Sequence, residues 1–175
     1  MIRPEFKKSL ESQQTILLLL WTFFVSGIFI YLWITEFVLR RSGFLASSAA
    51  ETVRMILWLL AFIDLGTFIW WRNRFLAKEA ILGGTKKYKT LQVLQEHTTP
   101  LEERAAQVVS SYVTSKIVAY AIVEAMAVYG LVLAAIGGYV RDQYLFSIAS
   151  LLLLVIEFPS RSYLATLLKE VEARG

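Results

Sequence analysis

Residues 119–138 read AYAIVEAMAVYGLVLAAIGG, and nineteen of these twenty residues are apolar, small or Tyr. A helix of about 20 such residues crosses the hydrocarbon core of a bilayer. The exception is Glu124, whose carboxyl group stands in the middle of the stretch. The stretch therefore predicts a membrane-spanning helix, and the acid within it needs an explanation.

The apolar residues of the whole chain fall into four blocks, with the bounds 15–39, 53–71, 117–140 and 144–158. Only 18% of the 175 residues are charged, against about 25% in soluble domains. The first three blocks reach or approach the length of a span, whereas the fourth spans only if its helix continues into its flanks or the bilayer thins. We predict a single all-α integral membrane domain over residues 1–175 with four transmembrane helices.

The distribution of basic residues predicts the orientation of these helices. Fourteen of the 18 Lys and Arg residues lie in the N-terminal tail, the segment 72–116 and the C-terminal tail, and four lie in the other two connections. Because basic residues concentrate on the cytoplasmic side of a membrane, both termini and the segment 72–116 are predicted to be cytoplasmic. We expect the bacterial inner (plasma) membrane, and the net charge of +4 needs no nucleic-acid partner to explain it.

Helices are also predicted in the cytoplasmic segment 72–116 and in the C-terminal tail, residues 159–175. Residues 72–82 extend the second helix, and the two glycines that follow end it. In the tail, the apolar side chains share one face of an amphipathic helix: Tyr163, Leu164, Leu167, Leu168 and Val171. This helix either lies on the membrane surface or packs on the cytoplasmic segment.

A strong helix start precedes the third span. Thr99 stands at the N-cap position, Pro100 at the first helical position, and the acids Glu102 and Glu103 fall in the first turn. No breaker follows, so the pattern predicts one helix over residues 100–138. The two acids are expected on its solvated face.

The composition excludes several kinds of functional site. The chain has no Cys and one His, His97, which lies in the polar stretch QEHTTP and is interpreted as a solvated loop residue. No nucleophile triad, phosphate loop or metal-binding box is present. We therefore predict no enzyme activity, no metal and no cofactor.

Two acids within the spans are the candidate site. Asp64 and Glu124 each lie seven residues from the inner end of their block, which is about 10 Å of helix rise. An acid in hydrocarbon costs about 2.5–3.5 kcal/mol on insertion scales. If the two acids face each other, they would share a proton; alternatively, each stays neutral and bonds to a neighbour, such as a carbonyl or Tyr120 for Glu124 and Thr67 for Asp64. Glu36, by contrast, lies near Arg40 and is interpreted as structural.

Small residues flank Glu124 on the same helix. They recur at helical spacing and form a stripe consisting of Ala127, Gly130, Ala134 and Gly138. Such stripes allow another helix to approach closely in a membrane. The stripe is therefore predicted to be a helix-packing surface.

The run EAMAVYGLV, residues 124–132, resembles the ion-site helix of the rotary ATPase proteolipid family, subunit c. The resemblance implies that Glu124 is an ion-carrying carboxylate and that Asp64 lies on the equivalent of the first helix of the hairpin. The second span is rich in bulky aromatic residues, and some 40 residues replace the family's short loop. The interpretation is a proteolipid-like hairpin rather than a subunit of a close-packed ring.

These patterns together predict a small, non-catalytic subunit of a larger membrane complex. In this hypothesis Glu124, with Asp64, exchanges a proton or fixes a helix contact. The expected partners are the lipid bilayer and either other membrane subunits or further copies of the chain. The alternative is a structural, assembly or self-associating membrane protein with no ion role.

Overall fold

A computed structural model describes residues 3–42, 49–83 and 99–174, and all regular secondary structure in these ranges is helical. The helices are α1 (Pro4–Trp33), α2 (Ala50–Phe75), α3 (Lys78–Leu82), α4 (Pro100–Gly137), α5 (Val140–Ile156) and α6 (Arg161–Arg174). Helix α1 continues through a π-helical segment, Ile34–Leu39, and a last α-turn, Arg40–Ser42. The prediction for His97 lies outside the described residues.

Three of the helical segments are long and apolar enough to cross a membrane: Lys8–Leu39, Ala50–Phe75 and Pro100–Gly137. A fourth crossing is available if α5 and α6, which are bent by 40° at the break between them, count as one span. Many large apolar side chains on these helices are exposed, such as Phe23 (69%) and Met55 (68%). Such an apolar surface is typical of helices that face lipid or other membrane helices.

The chain divides into two compact units, which are described separately. We call Trp21–Trp70 with Ala119–Phe158 the apolar unit, and Met1–Leu20 with Trp71–Val118 and Pro159–Gly175 the terminal unit. The apolar unit contains most of the predicted spans. The terminal unit contains most of the described charged residues outside them.

In the apolar unit, α4 and α5 pack closely at Gly130. A Cβ atom added to Gly130 would lie 2.5 Å from Gln143 Oε1 and 3.2 Å from the Cβ of Phe146. The core beside this contact consists of Ala61, Leu133 and Phe146. The small residue at position 130 is therefore required for the approach of α5, as expected for a packing stripe.

The rest of the predicted stripe divides into two roles. Ala127 and Ala134 are fully buried, whereas Gly138 ends the helix with a φ of 68°, in the left-handed region that favours glycine. Its N–H donates to the carbonyl oxygen of Ala134 at 3.0 Å, which is the αL type of helix C-cap. Gly138 thus makes the turn into α5, and that it packs against a helix stays a prediction.

In the terminal unit, α4 begins as predicted. The N–H of Glu102 donates to Oγ1 of Thr99 at 3.3 Å, so Thr99 caps the helix that starts at Pro100. The prediction that Glu102 is solvated is wrong, because its side chain is 0% exposed and accepts from Nε of Arg3 at 2.9 Å and from Nη2 at 3.1 Å. A forked guanidinium compensates the burial of this carboxylate.

The predicted extension of the second helix through residue 82 is interrupted. Helix α2 ends at Phe75, and Ala77 is extended with a ψ of 139° before the short helix α3 begins. The break turns Ile81 and Leu82 into the protein, where they are 0% and 5% exposed. Burial of these two side chains is the physical reason for the bend.

Helix α6 confirms the predicted amphipathic tail. Four of its apolar side chains are buried, namely Leu164, Leu167, Leu168 and Val171. The ring centroids of Tyr163 and of Tyr112, on α4, lie 5.6 Å apart. In addition, Nζ of Lys78 donates to Oε1 of Glu170 at 2.5 Å. Of the two predicted placements, packing on the chain's own helices is the one observed.

Candidate functional site

Glu124 projects from α4 toward α1. The hydroxyl of Tyr31 donates to Glu124 Oε1 at 2.8 Å. One turn earlier on α1, a Cβ atom added to Gly27 would lie 3.2 Å from the same oxygen. Gly27 therefore leaves room for the carboxyl group, and Tyr31 supplies its hydrogen bond.

Asp64 has a separate tyrosine partner. The hydroxyl of Tyr129, on α4, donates to Asp64 Oδ2, on α2, at 2.9 Å. Tyr129 follows Glu124 by five residues, and five residues of α-helix rotate the side-chain direction by about 140°. Helix α4 thus contacts α1 through Glu124 and α2 through Tyr129, on different faces.

The two acids are therefore not a hydrogen-bonded pair in the described part of the chain. The partners suggested from the sequence also differ from those observed. Tyr120, suggested for Glu124, donates instead to the backbone carbonyl of Glu157 at 3.1 Å. Of the two observed partners, Tyr129 lies within the EAMAVYGLV run, but nothing in that run indicates that it bonds to Asp64 on another helix.

Neither carboxylate forms an ion pair with any Lys or Arg in residues 3–42, 49–83 and 99–174. A phenol is a neutral donor, and a carboxyl oxygen accepts its hydrogen bond whether or not the group carries a proton. Each acid can therefore gain or lose a proton and keep its tyrosine contact.

A third acid, Asp142, is held in a different way. It lies in the first turn of α5 and is 3% exposed. Arg54 binds it with two hydrogen bonds, Nε to Oδ2 at 2.6 Å and Nη2 to Oδ1 at 3.2 Å, and Trp58 Nε1 donates to Oδ2 at 3.3 Å. The guanidinium also lies over the Tyr139 ring, 4.7 Å from its centroid.

We call this group of four side chains, Arg54, Trp58, Tyr139 and Asp142, the Asp142 cluster. The sequence interpretation used Arg54 only as a charge for orientation and did not predict the pair. The available signal was a lone cation at the start of one apolar block and a lone acid before another. Because the cluster joins the starts of α2 and α5, it fixes those two helix ends to each other.

The acid near the end of the first span behaves as predicted. Arg40 Nη1 lies 2.9 Å from Glu36 Oε2, one turn apart. The hydroxyl of Tyr144 on α5 also donates to Glu36. Glu36 is therefore compensated by a cation, whereas no described Lys or Arg pairs with Glu124 or Asp64.

Among the described residues, no group of three or more His, Asp or Glu side chains is placed to hold a metal ion. No protein-family model, no curated protein and no solved structure matches the chain. The functional interpretation consequently rests on the geometry of the two tyrosine-bound acids and on the sequence.

Proposed function

We propose that the chain is a small, non-catalytic subunit of a larger membrane complex in the bacterial inner membrane. In this proposal α1, α2, α4 and α5 are the four transmembrane helices, and both termini are cytoplasmic. The asymmetry of basic residues supports the orientation. The broad exposed apolar faces of α1 and α2 support a surrounding of lipid and partner helices.

Within that subunit, we propose that Glu124 exchanges a proton. The observation that carries the proposal is the hydrogen bond from Tyr31 to Glu124 without an ion pair among the described residues. Protonation of a carboxylate that has a cation partner abolishes an ion pair, whereas protonation of Glu124 retains the bond from Tyr31. The proteolipid-like sequence around Glu124 supports the same residue.

Asp64 has the same type of partner, Tyr129, and is the second proton-exchanging candidate. Because its tyrosine lies on another face of α4, we propose that it acts independently of Glu124 and does not share a proton with it. Asp64→Asn and Glu124→Gln should then have separable effects on proton exchange.

The test is the proton-linked activity of the intact complex, isolated in mild detergent and reconstituted in vesicles. Glu124→Gln preserves shape and hydrogen bonding, so the complex should assemble with unchanged stoichiometry and lose its proton-linked activity. Glu36→Gln, at an acid that is paired with Arg40, is the matched control and should retain activity. A Glu124→Gln complex with full activity would exclude the ion role.

The second candidate is a structural or self-associating membrane protein. It is favoured by the observation that the two tyrosine bonds connect α4 to α1 and to α2, which by itself accounts for acids within the spans. In that case Glu124→Gln is silent in every proton-linked assay. The Tyr31→Phe variant would then affect only the stability of the bundle.

A further inference from the structure

A cavity of about 530 Å³ lies in the terminal unit, between the first turns of α1 and helix α6. Its volume falls in the range of small-ligand sites, about 300–1,000 Å³. The polar part of the wall includes Lys8, Ser12, Thr15 and Arg161, and Leu164 and Leu168 contribute the apolar part. The cavity is distinct from the carboxylate sites of the apolar unit.

The polar wall follows the helical repeat. Lys8, Ser12 and Thr15 are spaced by four and three residues, so they share one face of α1. Arg161 opens α6 on the other side of the cavity. The Ser12 hydroxyl donates to the Ser9 carbonyl oxygen at 2.7 Å. The ammonium of Lys8, the guanidinium of Arg161 and the Thr15 hydroxyl therefore converge on one space, and all three are donors that suit phosphate oxygens.

The charge of the cavity is uncompensated within the described residues. The lining side chains that the structure describes include no carboxylate, and neither Lys8 nor Arg161 forms an ion pair with a described residue. Two other cations of the same unit are paired, since Arg3 binds Glu102 and Lys78 binds Glu170. The cavity thus presents two positive charges to a ligand that carries negative charge.

The location in the chain indicates the source of that negative charge. Thr15 begins the first predicted span, and Arg161 follows the last residue of the fourth by three positions. In the proposed topology the cavity therefore lies at the level of the lipid headgroups on the cytoplasmic side. We propose that it binds the phosphate of an anionic phospholipid headgroup.

The probe is short-chain phosphatidylglycerol, titrated into the full chain in a neutral detergent and followed by tryptophan fluorescence. Saturable binding is expected for phosphatidylglycerol and not for phosphatidylcholine. The double variant Lys8→Gln/Arg161→Gln should bind about 30-fold more weakly, from the contribution of two basic residues near a membrane surface. Both side chains are exposed, so the helix content by circular dichroism should be unchanged.

The matched control is Lys169→Gln/Arg174→Gln, which removes the same charge from exposed positions of α6 outside the cavity. It should bind phosphatidylglycerol as the wild type does, and an equal loss would overturn the proposal by showing unspecific attraction. Ala165→Glu, which adds an anion to the cavity wall, should weaken binding with both cations in place. Inorganic phosphate is also tested as a competitor of phosphatidylglycerol. If it displaces the lipid at concentrations equal to those of the lipid, the ligand is free phosphate and the lipid proposal is wrong.

Discussion

The Asp142 cluster and the Glu124 site hold an acid in apolar surroundings by different means. Asp142 accepts from a guanidinium and an indole, whereas Glu124 accepts from one phenol. Protonation of Asp142 would break its ion pair with Arg54. Protonation of Glu124 leaves its hydrogen bond in place.

In our proposal this difference separates a structural acid, Asp142, from a proton-exchanging one, Glu124. Burial alone does not make the distinction, because the more buried acid, Asp142, is the one with a cation. What distinguishes the two is the charge of the donor.

The largest effect is expected at Gly130, where the helix that carries Glu124 meets the helix that carries Asp142. Gly130→Leu places a side chain against Gln143 and Phe146, and overpacking of this kind costs about 1–3 kcal/mol or more. We expect most of the protein to be lost as aggregate in size-exclusion chromatography. Gly66→Leu is the control, since nothing lies within 4 Å of a Cβ there; equal behaviour of the two variants would contradict the packing.

The next effect is expected in the Asp142 cluster. Arg54→Gln leaves a buried carboxylate without its cation, and the Tm should fall by about 5 °C or more. Asp142→Asn should cost less, because the half-exposed guanidinium of Arg54 can be rehydrated. Thermal unfolding of both variants and of the double variant measures the difference, and an Arg54→Gln protein as stable as the wild type would show that the pair is not what holds these helix ends.

A smaller loss is expected when the phenols are removed. Tyr31→Phe and Tyr129→Phe each delete one interhelical hydrogen bond, which is worth about 0.6 kcal/mol on average in membrane proteins. The Tm should fall by about 1–2 °C in each variant. The two losses should add, because the contacts lie on different faces of α4; a strongly non-additive double variant would indicate one coupled site.

The smallest effect concerns the docking of α6. The hydrogen bond to Glu170 raises the pKa of Lys78 above its ordinary value. Because the pKa of Lys78 is higher in the folded than in the unfolded protein, its charged form stabilises the folded state. This stabilisation is fully present below the ordinary lysine pKa, about 10.4, and is lost as the pH rises through the raised pKa of the folded protein. Lys78→Gln should therefore be slightly less stable than the wild type at neutral pH, measured by thermal unfolding, and the difference should disappear in strong alkali.

Much of the helical layout could be predicted from composition and spacing. The helix start at Thr99 and Pro100 was predicted because a cap is a local signal. The long apolar helices were predicted because length and hydropathy need no knowledge of neighbours. The break before α3 was missed because it depends on the burial of Ile81 and Leu82, which is a tertiary effect.

The site was predicted less completely. The acids Glu124 and Asp64 stand out in apolar helices, but their partners depend on which helices are adjacent and on their rotation. Tyr31 lies 93 residues from Glu124 and Arg54 lies 88 residues from Asp142. No local pattern encodes such contacts, so the tyrosine bonds and the Asp142 cluster required the structure.

The most direct measurement is the infrared difference spectrum of the carboxyl groups, recorded over a pH titration of the protein in lipid nanodiscs. We expect a titrating carboxyl C=O band that is absent from Glu124→Gln and displaced in Tyr31→Phe, because the phenol donates to that group. Arg54→Gln should leave this band unchanged. A Glu124→Gln spectrum that superimposes on the wild type at every pH would contradict the assignment of Glu124 as a proton-exchanging group.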